Sequence, residues 1–334
     1  MPIDSEDLSR LSDLDKMRRD GGNGKLKSFF CSTARSSINK AMSLINNDNV
    51  QFSSLFALQP EINRFNLYKH LSEKNKQALD LCERVLHRKP MDMRSLPEKS
   101  RQSVYSSLKW ILESSRFDRG FDNEQEEVVD TAALLLVKSY RDKTVLDIVV
   151  DMIFQRHRRE GFTYDLIWAA FEARDPNVLI MIAGRLLSDE PKDVELARKL
   201  LGFIPCIAFG KDKSNIRQHS ECINWITENY PFIYYTGESL HQGNSPIPYT
   251  VSIEAKYLCE PVCCESGEIS VQLTPEQKQL SESFNKLEPS VRVLLSHCSS
   301  VLHKNRISLW NEWIKSPIKH QIAYAKSMGG AYHD

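Results

Sequence analysis

The sequence predicts a mainly α protein, built of helices in antiparallel pairs and interrupted near 231–273 by a small β-hairpin or loop insertion. Three observations carry this expectation. From about residue 98, apolar side chains recur at three- and four-residue spacing through one stretch after another. The breaks between these stretches are a few residues long and hold the Pro, Asp and Ser that start helices. One segment, "PFIYYTGESLHQGNSPIPYTVSIEAKYLCEPVCCE" (231–265), departs from that pattern, with four prolines, four tyrosines and three cysteines.

Composition sets the frame for the elements. With 41 % hydrophobic and 26 % charged residues over 334 positions, the chain can bury a core, and wholesale disorder is excluded. Lys+Arg and Asp+Glu are 44 each. A dedicated nucleic-acid binder carries a basic excess, so this balance argues against one. The start "MPIDSEDLSRLSDLDKMRRD" has no apolar core of a signal peptide, and the runs "AALLLV" and "VLIMIAG" fall far short of the roughly 18–20 residues that span a bilayer. No membrane association and a cytoplasmic location are therefore expected. Eight cysteines in a chain this long are not a disulfide framework, and Cys31, Cys82, Cys206 and Cys298 read as buried thiols.

Residues 1–28 read as a flexible lead-in with one short helix over 5–19, closed by "DGGNGK". "GGNGKLKS" is not a phosphate-binding loop, because Leu26 follows Lys25 and no buried strand precedes it. Residues 29–97 form an N-terminal helical segment. In it "STARSSINKAMSLIN" and "LSEKNKQALDLCERVLHR" are helices, and Pro97 opens the next one.

Residues 98–230 form the helical core, with helices over 98–115, 124–141, 143–158, 162–174, 176–187, 191–204 and 215–229. Asp175-Pro176 and Asp189 to Pro191 supply a capping acceptor and a first-turn proline at two of these starts. The starts at 162, 176 and 191 lie about 15 residues apart, giving a helix pair roughly every 30. At the level of pattern this region resembles the HEAT and armadillo class of α-solenoids. That resemblance implies stacked pairs presenting an extended surface; the alternative architecture is a compact helical bundle.

In the insertion, "PFIYY" and "PYTVSIEAKYL" are expected to pair around "GESLHQGNSPI", with "GEISVQL" (267–273) as a third short strand. Residues 274–334 form a C-terminal helical cap, with helices over 275–286, 289–303, 307–315 and 317–328. Trp310, Trp313, Ile314, Ile318, Ile322, Ala325 and Met328 make the apolar face of its last pair.

Three groups of residues are candidates for chemistry. His219 and Cys222, with Cys259, Cys263 and Cys264, form two groups of soft ligands on separate segments, the arrangement a zinc site uses; otherwise the sequence calls for no cofactor. The competing reading is a set of buried thiols. Tyr234, Tyr235, Glu238, His241 and Tyr249 make the insertion a candidate binding surface. Arg156, Arg158 and Arg159 in "QRHRRE" are candidate phosphate contacts, or a solvated helix end whose cations complement the dipole. No motif of a common enzyme class is present. The leading expectation is a non-catalytic scaffold or adaptor for a protein partner. The alternatives are a nucleic-acid-associated protein using the 156–159 patch, and a metalloprotein or enzyme centred on 219–264.

Overall fold

The computed structural model describes residues 11–89, 97–115, 123–210, 213–238 and 246–329. Among these residues it holds 18 α-helices and one two-stranded antiparallel sheet, the mainly α fold with a small hairpin that the periodicity predicts. The chain divides into two compact units, Met1–Ala173 and Arg174–Asp334.

In the first unit, α1 (Asp13–Ser36) begins where Ser12 accepts a hydrogen bond from the Asp15 backbone N–H. Leu14, Leu26 and Phe30 of this helix are fully buried. The stretch from residue 12 to 28 is therefore packed structure rather than a lead-in; residues 1–10 lie outside the described residues. Its alternating charges are misleading because two of them point inward. Asp15, fully buried, accepts from Gln51 N at 3.1 Å and Ser54 Oγ at 2.6 Å, and Arg18 Nε donates to Ser54 Oγ at 3.2 Å. Gly21 and Gly22 leave helical geometry inside α1, and Gly22 sits at φ 70°, where a side chain would be strained.

Next come α2 (Ile38–Ile45), α3 (Phe52–Ala57), α4 (Gln59–Arg64) and α5 (Glu73–Leu86). Asn75, buried at the start of α5, donates to the Ile45 carbonyl at 2.8 Å and ties α5 to the end of α2. Then follow α6 (Glu98–Ser115), α7 (Asn123–Lys138), α8 (Leu146–Arg158) and α9 (Tyr164–Glu172). α5 packs on α6 and α7, α6 on α7, and α9 on α7 and α8.

The second unit opens with α10 (Asn177–Gly184), α11 (Pro191–Leu200), α12 (Pro205–Ala208) and α13 (Asn215–Asn229). Asp175 accepts from Asn177 N at 3.0 Å, as its place before Pro176 predicts. At the α11 start the acceptor is Ser188, not Asp189: Ser188 Oγ accepts from Glu190 N and donates to buried Asp193. A hairpin follows, β1 (Ile233–Tyr235) paired with β2 (Tyr249–Val251) in the register Ile233↔Val251 and Tyr235↔Tyr249.

The remainder is helical: α14 (Ile253–Leu258), α15 (Pro275–Asn285), α16 (Pro289–Asn305), α17 (Ile307–Trp313) and α18 (Ile318–Gly329). "IEAKYL", which alternates like a strand, is α14 instead, because Ser252 caps the Ala255 N–H and stops the strand. The expected third strand shrinks to one bridge, Val262↔Ile269.

The core of this C-terminal block is aromatic. Tyr257 stacks on Phe284 with centroids 4.3 Å apart and meets Trp313 edge-on. Trp313, Ile314 and Ala325 of the expected apolar face are buried here, with Trp310, Ile318, Ile322 and Met328 packed around them.

Candidate functional site

The hairpin segment is held by main-chain bonds. Val262 N donates to the Pro231 carbonyl at 2.9 Å and Tyr235 N to the Cys264 carbonyl at 2.8 Å, so residues 262–264 run beside β1. A tight turn at 263–267 folds this segment back, with Gly267 N bonded to the Cys263 carbonyl at 2.8 Å. Gly267 has φ 75°, and a Cβ there would come within 2.7 Å of the Tyr234 ring. Tyr234 therefore lies flat against a position that only glycine fits.

Tyr235 and Tyr249 face each other across the strands, centroids 5.8 Å apart, and both are buried. Arg174 stacks over Tyr235 at 5.6 Å and reaches Glu265 at 3.5 Å. Burial raises the pKa of both phenols above the ordinary tyrosine value, the nearby Arg174 charge opposing this at Tyr235. These rings fasten the insertion down. Glu238 is also engaged, its carboxylate accepting from Ile247 N at 3.0 Å across the loop. His241 lies outside the described residues.

The five candidate metal ligands are distributed. His219 and Cys222 sit on α13, where Cys222 is fully buried. Cys259 closes α14 in a left-handed conformation, φ 57°, its sulfur 3.5 Å from Ser299 Oγ. Burial pushes its thiol up to about 11. Cys263 is exposed in the turn, where the N–H of Glu265 and the Ser266 hydroxyl pull its pKa down, and Cys264 is half-buried beside it. Among the described residues, no group of three or more His, Cys, Asp and Glu side chains is placed to hold a metal ion.

The basic run is divided as well. Arg156 points into the first unit, 3 % exposed, and forms a two-pronged ion pair with Asp130, both prongs at 2.7 Å. A guanidinium so placed cannot reach a phosphate. Arg158 and Arg159 remain at the surface, with Arg159 Nε bonded to the Gln155 carbonyl.

One corner of the second unit has features that sequence reading did not single out. Phe209, just past α12, is 90 % exposed, and Ile216, in the first turn of α13, is 73 % exposed. The backbone beneath them is tightly fixed. Buried Gln218 donates to the Gly210 carbonyl at 2.6 Å and accepts from Arg198 Nε at 2.9 Å. A Cβ at Gly210 would come within 2.1 Å of the Cys206 carbonyl, so this turn closes only on glycine. Lys213 and Arg217 both donate to Glu221 on the same corner, at 2.6 and 2.9 Å, and hold its carboxyl below the usual range.

α12 packs on α13, and the influence of Cys222 pulls the Cys206 thiol below its ordinary value while Cys206 and burial push that of Cys222 up.

No protein-family model, curated protein or solved structure significantly matches this chain.

Proposed function

We propose that the chain is a non-catalytic helical scaffold or adaptor that binds another protein, with the α12–α13 corner as its principal contact. The observation that carries this reading is Phe209, a large aromatic side chain nine-tenths exposed beside Gly210, whose carbonyl accepts from buried Gln218. Ile216 stands on the same corner, and Lys213, Arg217 and Glu221 form a charged rim. Interfaces concentrate their energy in such aromatic anchors surrounded by polar groups, and a rigid scaffold lowers the entropy lost on binding. The next-but-one packing of α5, α7 and α9 supports a HEAT-like solenoid, since stacked pairs generate contacts of this order. The free thiols fit a reducing cytosol, and no helix among the described residues is long and apolar enough to cross a membrane.

The test is cross-linking of the full chain in extract of its source cells, followed by affinity measurement with the captured protein. Truncating both apolar side chains, Phe209→Ser with Ile216→Ser, should weaken binding by roughly thirtyfold or more, as loss of an interface hot spot does. The circular dichroism should not change. Equal affinity of the double variant, or cross-links that all map away from 205–221, would remove the corner as the contact.

A further inference from the structure

Resting on the reading of the α12–α13 corner as the protein contact, we propose that the segment received there is an acidic peptide stretch, in which carboxylates flank one or two apolar side chains. Cations surround the two exposed apolar residues of this corner. Arg198, near the end of α11, reaches across with two nitrogens: Nε donates to Gln218 Oε1 at 2.9 Å and Nη2 to Asn215 Oδ1 at 2.8 Å. Gln218 in turn holds the carbonyl of Gly210, which follows Phe209, and Asn215 immediately precedes Ile216. The guanidinium is thus tied to a neighbour of each apolar residue, through acceptors that carry no charge. Lys213 joins the same turn, its backbone N–H bonded to the Gly210 carbonyl at 3.0 Å. Its side chain and that of Arg217 share the single carboxylate of Glu221. Among the described residues, the groups bonded together here are therefore three cations and one anion.

This arrangement selects among occupants. An acidic segment sets its carboxylates against charges of opposite sign while its apolar side chains cover Phe209 and Ile216, the pairing of anchor and charged rim that interfaces use. A second copy of this chain docking through the same face would bring the positive excess against itself, which opposes a self-complementary contact. A nucleic acid would meet the cations and little else. Phe209 offers one stacking platform, Ile216 offers none, and the Glu221 carboxylate would face phosphates.

The experiment pans a random peptide library against the full chain and measures the recovered peptides by fluorescence anisotropy. The expected result is enrichment of Asp and Glu around large apolar residues, with binding lost in Phe209→Ser with Ile216→Ser. Charge variants then read the rim with opposite signs. Lys213→Gln with Arg217→Gln should weaken an acidic peptide by roughly fivefold or more, whereas Glu221→Gln should tighten it by about twofold to fivefold. Both effects should shrink as salt is raised. None of these three side chains is buried, so the circular dichroism of each variant should match the wild type. Peptides without acidic enrichment that are still lost in the double serine variant would overturn the acidic partner and leave the corner as the contact. Acidic peptides indifferent to that variant would sink the corner and the proposal together. A library that yields no binder, or Glu221→Gln that binds an acidic peptide more weakly, also overturns the proposal. So does a dimer of the chain, or a single-stranded oligonucleotide bound tighter than any peptide, that the double serine variant disperses.

Discussion

Arg156 and Asp130 together form a buried, two-pronged ion pair, and its energetics depend on removing one partner or both. Arg156→Ala leaves Asp130 as an uncompensated charge in a nearly dry site, and should cost about 3–5 kcal/mol of stability, read as a lower denaturant midpoint. Replacing both with Leu should recover much of that loss, because the penalty belongs to the orphaned charge. Tyr257 offers a pH-dependent counterpart. Burial raises its phenol to about 12, so the fold disfavours the phenolate. The stabilisation is fully present below the ordinary tyrosine pKa of about 10 and is lost as pH rises through about 12. Unfolding at pH 9 and pH 11.5 should show a decline for wild type that is smaller in Tyr257→Phe. At pH 7 that variant should still lose about 1–2 kcal/mol, because Gln321 Oε1 loses its donor.

At the scale of elements, glycine conformation decides where helices break. Gly22→Ala should destabilise by about 1 kcal/mol or more, since φ 70° is unfavourable for alanine, whereas Gly24→Ala, with open space around its Cβ, should be neutral or stabilising. Thermal melts of the two variants would separate conformational strain from loss of local flexibility. Most helices were legible because apolar period and capping agree: α6 runs Glu98–Ser115 and α13 Asn215–Asn229, as the pattern predicts. What was not legible came from partners distant in sequence. Asp15 looks like a surface charge until Ser54, 39 residues on, donates to it. Arg156 looks like part of a basic patch until Asp130 is brought opposite. Tyr235 and Tyr249 look like a recognition surface until register and Arg174 fold them inward.

For the whole molecule, the distribution of His219, Cys222, Cys259, Cys263 and Cys264 predicts protein free of stoichiometric metal. Elemental analysis of untagged protein should find well under one zinc per chain, with eight thiols titrating on unfolding whether or not chelator is present. One zinc per chain, with thiols released by chelation, would establish the zinc reading. The proposed contact is a surface, exposed Phe209 and Ile216, and this kind of site leaves no motif in a sequence.

The Tyr257 hydroxyl has a further consequence for how the chain acquires its structure. Its acceptor, Gln321, lies 64 residues downstream, and Gln321 in turn donates to the Ile314 and Ser316 carbonyls. Ser299 hydroxyl donates to the Tyr257 carbonyl, and Trp310 donates to Ser299. On a ribosome, then, the partners of Tyr257 emerge in sequence: Phe284 for its ring with α15, Ser299 for its carbonyl with α16, and Gln321 for its hydroxyl last, with α18. Until α18 arrives the Tyr257 hydroxyl is without its native acceptor, so the last helix completes the polar network of this block.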